Sequence, residues 1–75
     1  MTALPTVTAA RLLRALLRDG FYIHHTAGSH HVLKHLDRTT LRVVVPQHAG
    51  DIKRGTLRSI LHQADLTVDE LIAVL

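Results

Sequence analysis

Seven of the 75 residues are histidine, and five of these, His24, His25, His30, His31 and His35, fall in one short stretch. Imidazole changes charge near neutral pH, so it serves as a general acid, a general base or a metal ligand. A zinc site needs three or four converging ligands, commonly a helical i, i+4 pair or a fixed loop spacing. Cysteine is absent. Adjacent histidines on an extended strand point to opposite faces, so neither His24-His25 nor His30-His31 is expected to chelate one ion. No metal or other cofactor is expected. Ser29 beside His30 fails as a nucleophile–base pair for the same reason, and no orienting carboxylate accompanies it. A solitary strand histidine more often packs or binds than catalyses. A catalytic one must therefore be singled out by something besides its chemistry.

Phosphate handling suits the other polar residues better. Lys53-Arg54-Gly55-Thr56 opens a helical segment with two cations, a small residue and a hydroxyl. A helix start presents free N–H groups and a positive dipole end to an anion. Lys34, Arg38, Arg42 and Arg58 could extend this into a patch; the plain alternative is a solvated cationic rim that maintains solubility. Nine Lys and Arg against six Asp and Glu leave a net charge of +3, which histidine protonation raises below neutrality. Cationic domains of this size meet polyanions, or acidic proteins that mimic them. The aromatic residues are Phe21 and Tyr22, so a multi-aromatic platform for base stacking is not expected. Nucleic acid would be gripped by its backbone.

The elements that must position these residues are short. Thr8 is a candidate N-cap, and Ala9 to Asp19 reads as a helix with Leu12, Leu13, Leu16 and Leu17 as its apolar stripe. Gly20 fits the C′ position, and Met1 to Val7 reads as a tail. Phe21 to Thr26, Ser29 to Leu36 and Thr40 to Val45 read as strands, parted at Ala27-Gly28 and Asp37-Arg38-Thr39 and ended by Pro46. Short turns imply an antiparallel meander. Alternation sets Ser29, His31, Leu33 and His35 on one face and His30, Val32, Lys34 and Leu36 on the other. Both sets mix histidine with apolar residues, so periodicity leaves the inner face open. After a loop over 47–53, Arg54 to Ala64 reads as a helix with Leu57, Ile60 and Leu61 inward. Thr67-Val68-Asp69-Glu70 is a capping box that opens a last helix.

The order is therefore α-β-β-β-α plus a short C-terminal helix. It predicts an α+β fold with helices on one face of a three-stranded antiparallel sheet. The length allows one domain over residues 1–75. No apolar run approaches the roughly 20 residues that span a bilayer, and no basic-then-apolar leader precedes the first helix. With cysteine absent, a cytoplasmic protein without membrane contact is expected.

Short motifs in fixed order then single out one histidine. Gly20-Phe21, Gly28-Ser29-His30, Val45-Pro46 with His48, and Gly55-Thr56-Leu57 with Ile60-Leu61 resemble the HicA toxin family in order and spacing, from about Arg11 to Leu66. The resemblance implies a double-stranded-RNA-binding-domain-like fold, which the elements predict independently. It further implies the toxin of a toxin–antitoxin module, an endoribonuclease that degrades messenger RNA until a HicB antitoxin masks it. His30 is then the catalytic residue, with His31 the second choice, because only one of the neighbours can face RNA across the sheet. Gln47 departs from the basic residue that many relatives carry before the position of His48, which weakens one phosphate contact there.

Without a metal, such an enzyme uses the 2′-hydroxyl of RNA as the nucleophile on the adjacent phosphate. A cyclic phosphate and a 5′-hydroxyl result. His30 would remove the 2′ proton or protonate the leaving oxygen, not both at once. Lys34, Arg42 or the Lys53–Thr56 helix start would stabilise the oxyanion. The full set of expected RNA contacts is Gly28, Ser29, Lys34, Arg42, His48, Lys53, Arg54, Gly55 and Thr56. No DNA contact is expected from the toxin alone. Two other classes fit the same residues: a non-catalytic RNA-binding module of this fold, and a domain whose basic face docks an acidic protein. RNA bound but left intact marks the first; indifference to RNA at low salt marks the second.

Overall fold

A computed structural model describes residues 2–75, with α1(Ala9–Asp19), β1(Phe21–Ala27), β2(His30–His35), β3(Arg42–Pro46), α2(Arg54–Ala64) and α3(Val68–Val74) in that order. The strands form an antiparallel sheet in the order β1-β2-β3. This is the α+β arrangement the sequence predicts.

Thr8 starts α1 by accepting a hydrogen bond from the Arg11 N–H at 3.1 Å. Gly20 stops it in a left-handed conformation, φ 109°, its N–H returning to the last carbonyls. The buried face of α1 is Ala9, Leu12, Ala15 and Leu16, and Leu17 is 43% exposed. The expected stripe is thus displaced by one residue. At 100° per residue Leu13 sits on its margin and Leu17 beyond it, while the small Ala15 is fully buried.

The N-terminal segment is not a free tail. Leu4 and Val7 are buried in the core with Ile52, whose N–H donates to the Val7 carbonyl at 2.8 Å. A bridge between Thr8 and Asp51 brings the starts of α1 and α2 together. From the sheet, Phe21, Leu33, Val43 and Val45 meet Leu12, Leu16, Leu57, Ile60 and Leu71 of the helices.

Strand bounds differ from the expected ones at the turns. Ala27 pairs with His30, so Gly28 and Ser29 are the two-residue turn of a hairpin. Gly28 alone has positive φ, 58°, the type II′ pattern. Leu41 is held in the next turn by a bond from its N–H to the Arg38 carbonyl, 3.1 Å, and β3 starts one residue later. Pro46 is inside β3, opposite His30. It is tolerated because β3 is an outer strand, and the Val44 N–H two residues earlier already points outward, to Gln63 Oε1 at 2.9 Å.

A buried imidazole ties the far end together. His35 is 6% exposed, lies edge-on to Phe21, and accepts at Nδ1 from the N–H groups of Asp37 and Arg38 at 3.1 and 3.0 Å. Its Nε2–H therefore donates to the Asp19 carbonyl at 2.8 Å. One neutral ring links the end of α1, the end of β2 and the following turn.

The capping box forms as expected. Thr67 Oγ1 accepts from the Glu70 N–H at 3.1 Å, and Glu70 Oε1 accepts from the Thr67 N–H at 2.9 Å. The Thr67 N–H, and then its hydroxyl, hold the Glu70 carboxyl below its ordinary value of 4.5. A depressed carboxylate contributes its stabilisation above 4.5 and loses it as pH falls through the lower folded value. An NMR titration is expected to show Glu70 protonating below 4.5 in step with loss of helical shifts at the start of α3. Thr67→Ala should lower stability by about 1 kcal/mol in a denaturant titration.

Candidate active site

The structure decides which side of β2 is inside. His31, Leu33 and His35 face the helices, together with Val43 and Val45 across from them. His30, Val32 and Lys34 face the open side. Register lays that side out in rows. Tyr22, Lys34 and Arg42 stand side by side; then His25, Val32 and Val44; then Ala27, His30 and Pro46. Val32 is 3% exposed although it stands outside the helix-covered core. The side chains around it on the open face, His25, His30, Lys34 and Val44, must therefore close over it.

Two features of this face depart from ordinary strand design. Lys34 and Arg42 are directly opposite, where like charges are destabilising by up to about 1 kcal/mol. The described ion pairs, Arg38–Asp19 and Arg38–Asp65, and the contact of neutral His35 with Asp19 involve neither residue. The second feature is an interruption of register between Ile23 and His25. It leaves His24 as an extra residue and brings the rings of His24 and His25 together, Nδ1 to Nδ1 at 2.8 Å. The expectation that these neighbours point apart is corrected here, because alternation fails at a bulge. Among the described residues no group of three or more His, Cys, Asp or Glu is placed to hold a metal.

The sequence-predicted residues fall into three places. His30, Lys34 and Arg42 share the open face, and Gly28 and Ser29 form the turn at its edge. His31 is half-buried on the other face, its Nδ1 3.0 Å from Thr26 Oγ1. It lines a cleft of about 210 Å³ with Ala9, Leu13, Val45 and His48. His48 Nδ1 lies 2.8 Å from the Ala49 carbonyl, so that nitrogen carries a hydrogen. Lys53 is the N-cap of α2 without a side-chain capping bond, and no acidic residue occupies the first turn. Lys53, Arg54 and Gly55 are exposed there, and Thr56 is half-buried. Arg38 leaves the expected patch, because it pairs with Asp19 at 3.2 Å and Asp65 at 3.6 Å.

Sequence reasoning missed Tyr22, His24 and His25 as members of the site. Tyr22 meets the two cations only through register, and no glycine or proline marks the bulge.

A family model described as the HicA toxin of bacterial toxin–antitoxin systems matches residues 9–66. The chain belongs to the HicA toxin family. It is thus a member of a family of toxins that are paired with antitoxins, as its motifs implied. No curated protein matches it. The HicA match spans α1 through α2 and stops before α3, so the His30 hairpin and the Lys34–Arg42 row lie inside the shared unit. In this HicA chain α3 is an outer addition, seated by buried Leu71 and by a 2.7 Å bond from Arg18 Nε to the Val74 carbonyl. No helix among the described residues is long and apolar enough to cross a membrane.

Proposed function

We propose that this HicA-family toxin is a metal-independent endoribonuclease of the cytoplasm that cuts messenger RNA on its open sheet face. His30 is the catalytic imidazole, and a HicB-type antitoxin neutralises the toxin by covering that face. One observation carries the reading: exposed His30 shares a face with two directly opposed, unneutralised cations, Lys34 and Arg42. A phosphate bridging them converts a repulsion into two charge-assisted hydrogen bonds. His30 then acts on a neighbouring phosphodiester of the same RNA strand, about 13 Å along the sheet from that anchor, and the Gly28-Ser29 turn lets the RNA backbone approach. The cleft-lining His48 and the α2 start (Lys53, Arg54, Gly55 and Thr56) are accessory contacts for flanking phosphates.

The decisive experiment is cleavage of a mixed-sequence RNA in EDTA with analysis of product ends. Cyclic phosphate and 5′-hydroxyl ends are expected. A requirement for magnesium, or 5′-phosphate ends, overturns the reading, and RNA retained intact at low salt makes the chain a binding module. The cation pair gives a second, independent check. Lys34→Ala should weaken RNA binding uniformly across sequences and reduce the log–log salt slope by about 0.7. The same change should leave the free protein slightly more stable, by a few tenths of a kcal/mol, because it removes a like-charge pair. An unchanged salt slope would remove Lys34 from the RNA contacts.

A further inference from the structure

Cleavage by the 2′-hydroxyl route needs two proton transfers, and His30 supplies one. We infer that His25 supplies the other, as the general acid that protonates the leaving 5′-oxygen, with His24 as the positioning residue that fixes its ring. The inference rests on the endoribonuclease reading of the open face.

The bulge makes the arrangement. Pairing runs in register to Ile23 opposite Leu33 and resumes with His25 opposite Val32, so His24 and His25 share one partner. Their rings lie 5.1 Å apart between centroids and inclined at 76°, with the Nδ1 atoms 2.8 Å apart. At that separation one Nδ1 carries a hydrogen and the other accepts it; two N–H groups cannot face each other there. The junction therefore takes one proton, and the Nε2 of each ring remains free. A protonated His25 that donates Nδ1–H to neutral His24 presents its Nε2–H outward, since the bond on one ring nitrogen sets the role of the other.

His25 and His30 are diagonal neighbours on the open face, flanking Val32. Such pairs lie roughly 7–8 Å apart, their β-carbons somewhat closer, within reach of long side chains. Two ring nitrogens that grip one phosphate from both sides must stand on the order of 8 Å apart, two hydrogen bonds of about 2.8 Å plus its own width, a span that rings rotating about these β-carbons can set. Val32 between them is nearly fully buried, covered by its neighbours on the open face, while His25 and His30 themselves stay exposed. The other ionisable groups on this face are Tyr22, Lys34 and Arg42, and no strand carries a carboxylate that would compete for the proton.

The step balances with these groups alone. Neutral His30 takes the 2′-hydroxyl proton as that oxygen bonds to phosphorus. The bond from phosphorus to the 5′-oxygen breaks, and the departing oxygen takes the Nε2 proton of His25. The products are a 2′,3′-cyclic phosphate and a 5′-hydroxyl. His30 is left protonated and His25 neutral, still bonded to His24 through Nδ1, and exchange with water resets both.

The test compares two RNA oligonucleotides in EDTA, each 2′-O-methylated at every position but one, so that a single 2′-hydroxyl is available. One has the natural 5′-bridging oxygen and the other a 5′-bridging sulfur, which leaves as thiolate without a proton. His25→Ala is expected to slow cleavage of the oxygen substrate by about 10²–10³-fold and to leave the sulfur substrate within about threefold of the parent. His30→Ala should be slow on both. His24→Ala should lose about tenfold on the oxygen substrate and nothing on sulfur, at unchanged RNA affinity, which a merely structural role would not produce. His25→Ala that is as fast as the parent on oxygen, or equally slow on both substrates, overturns the acid assignment and leaves the nuclease reading standing. A parent protein that cuts neither substrate overturns the nuclease reading and this inference with it.

Discussion

His30→Ala is expected to reduce RNA cleavage by about 10²–10⁴-fold, the range that a positioned acid or base contributes. His30 is exposed at the start of β2 and belongs to no packed cluster, so stability should change by no more than about 0.5 kcal/mol. RNA affinity should fall little, because the opposed Lys34 and Arg42 remain. His31→Ala is the matched control one residue away. It removes the contact with Thr26 and part of the wall of the cleft, at a cost of about 0.5–1.5 kcal/mol. Cleavage should survive it. Melting curves and rates measured on both variants separate the two residues. Full activity in His30→Ala with loss in His31→Ala would move the chemistry to the cleft beside His48.

The largest stability effect is expected at Gly20. A β-carbon there meets two obstacles at once. The backbone, at φ 109°, is one that side-chain-bearing residues avoid, at about 1–2 kcal/mol. The new atom would also lie 2.8 Å from His35 Nε2 and 2.9 Å from Cε1. The imidazole cannot retreat without leaving the Asp19 carbonyl and the N–H groups of Asp37 and Arg38, and stranding such buried groups costs about 1–3 kcal/mol. Gly20→Ala should therefore destabilise by about 3 kcal/mol, roughly 12–24 °C in Tm for a domain of this size. Gly28→Ala separates the two causes: its φ is also positive, 58°, but nothing lies within 4 Å of the added carbon. It should lose about 1 kcal/mol. Equal losses at the two glycines would show that the His35 contact carries no weight.

Local signals carried much of this fold. The bounds of α1 and α2 follow from Thr8, Gly20 and the helical spacing of their leucines, and α3 follows from its capping box. Gly28 signals the hairpin that presents His30, although its turn is Gly28-Ser29 and not the Ala27-Gly28 break that the sequence suggests. What was not legible depends on tertiary placement. Both faces of β2 carry histidine and apolar residues, and only the helices packing on Leu33, Val43 and Val45 turn His30 outward and His31 inward. Register decides that Lys34 meets Arg42, and register depends on where each turn closes. Arg38 looked like part of a cationic patch until its approach to Asp19 and Asp65 became visible. His24 and His25 were discounted as a pair by alternation, a rule that one extra residue suspends.

The irregularities of the outer strands also bear on what the molecule does in company. A sheet normally offers its flanks as templates for another chain, through rows of unused N–H and C=O groups. Along β3 the Val44 N–H is occupied by Gln63, and Pro46 has no donor to offer. Along β1 the extra residue at His24 breaks the row in its middle. Both flanks are therefore poor seeds for strand addition between copies. Polymerisation of the free toxin through its own sheet is disfavoured by both flanks.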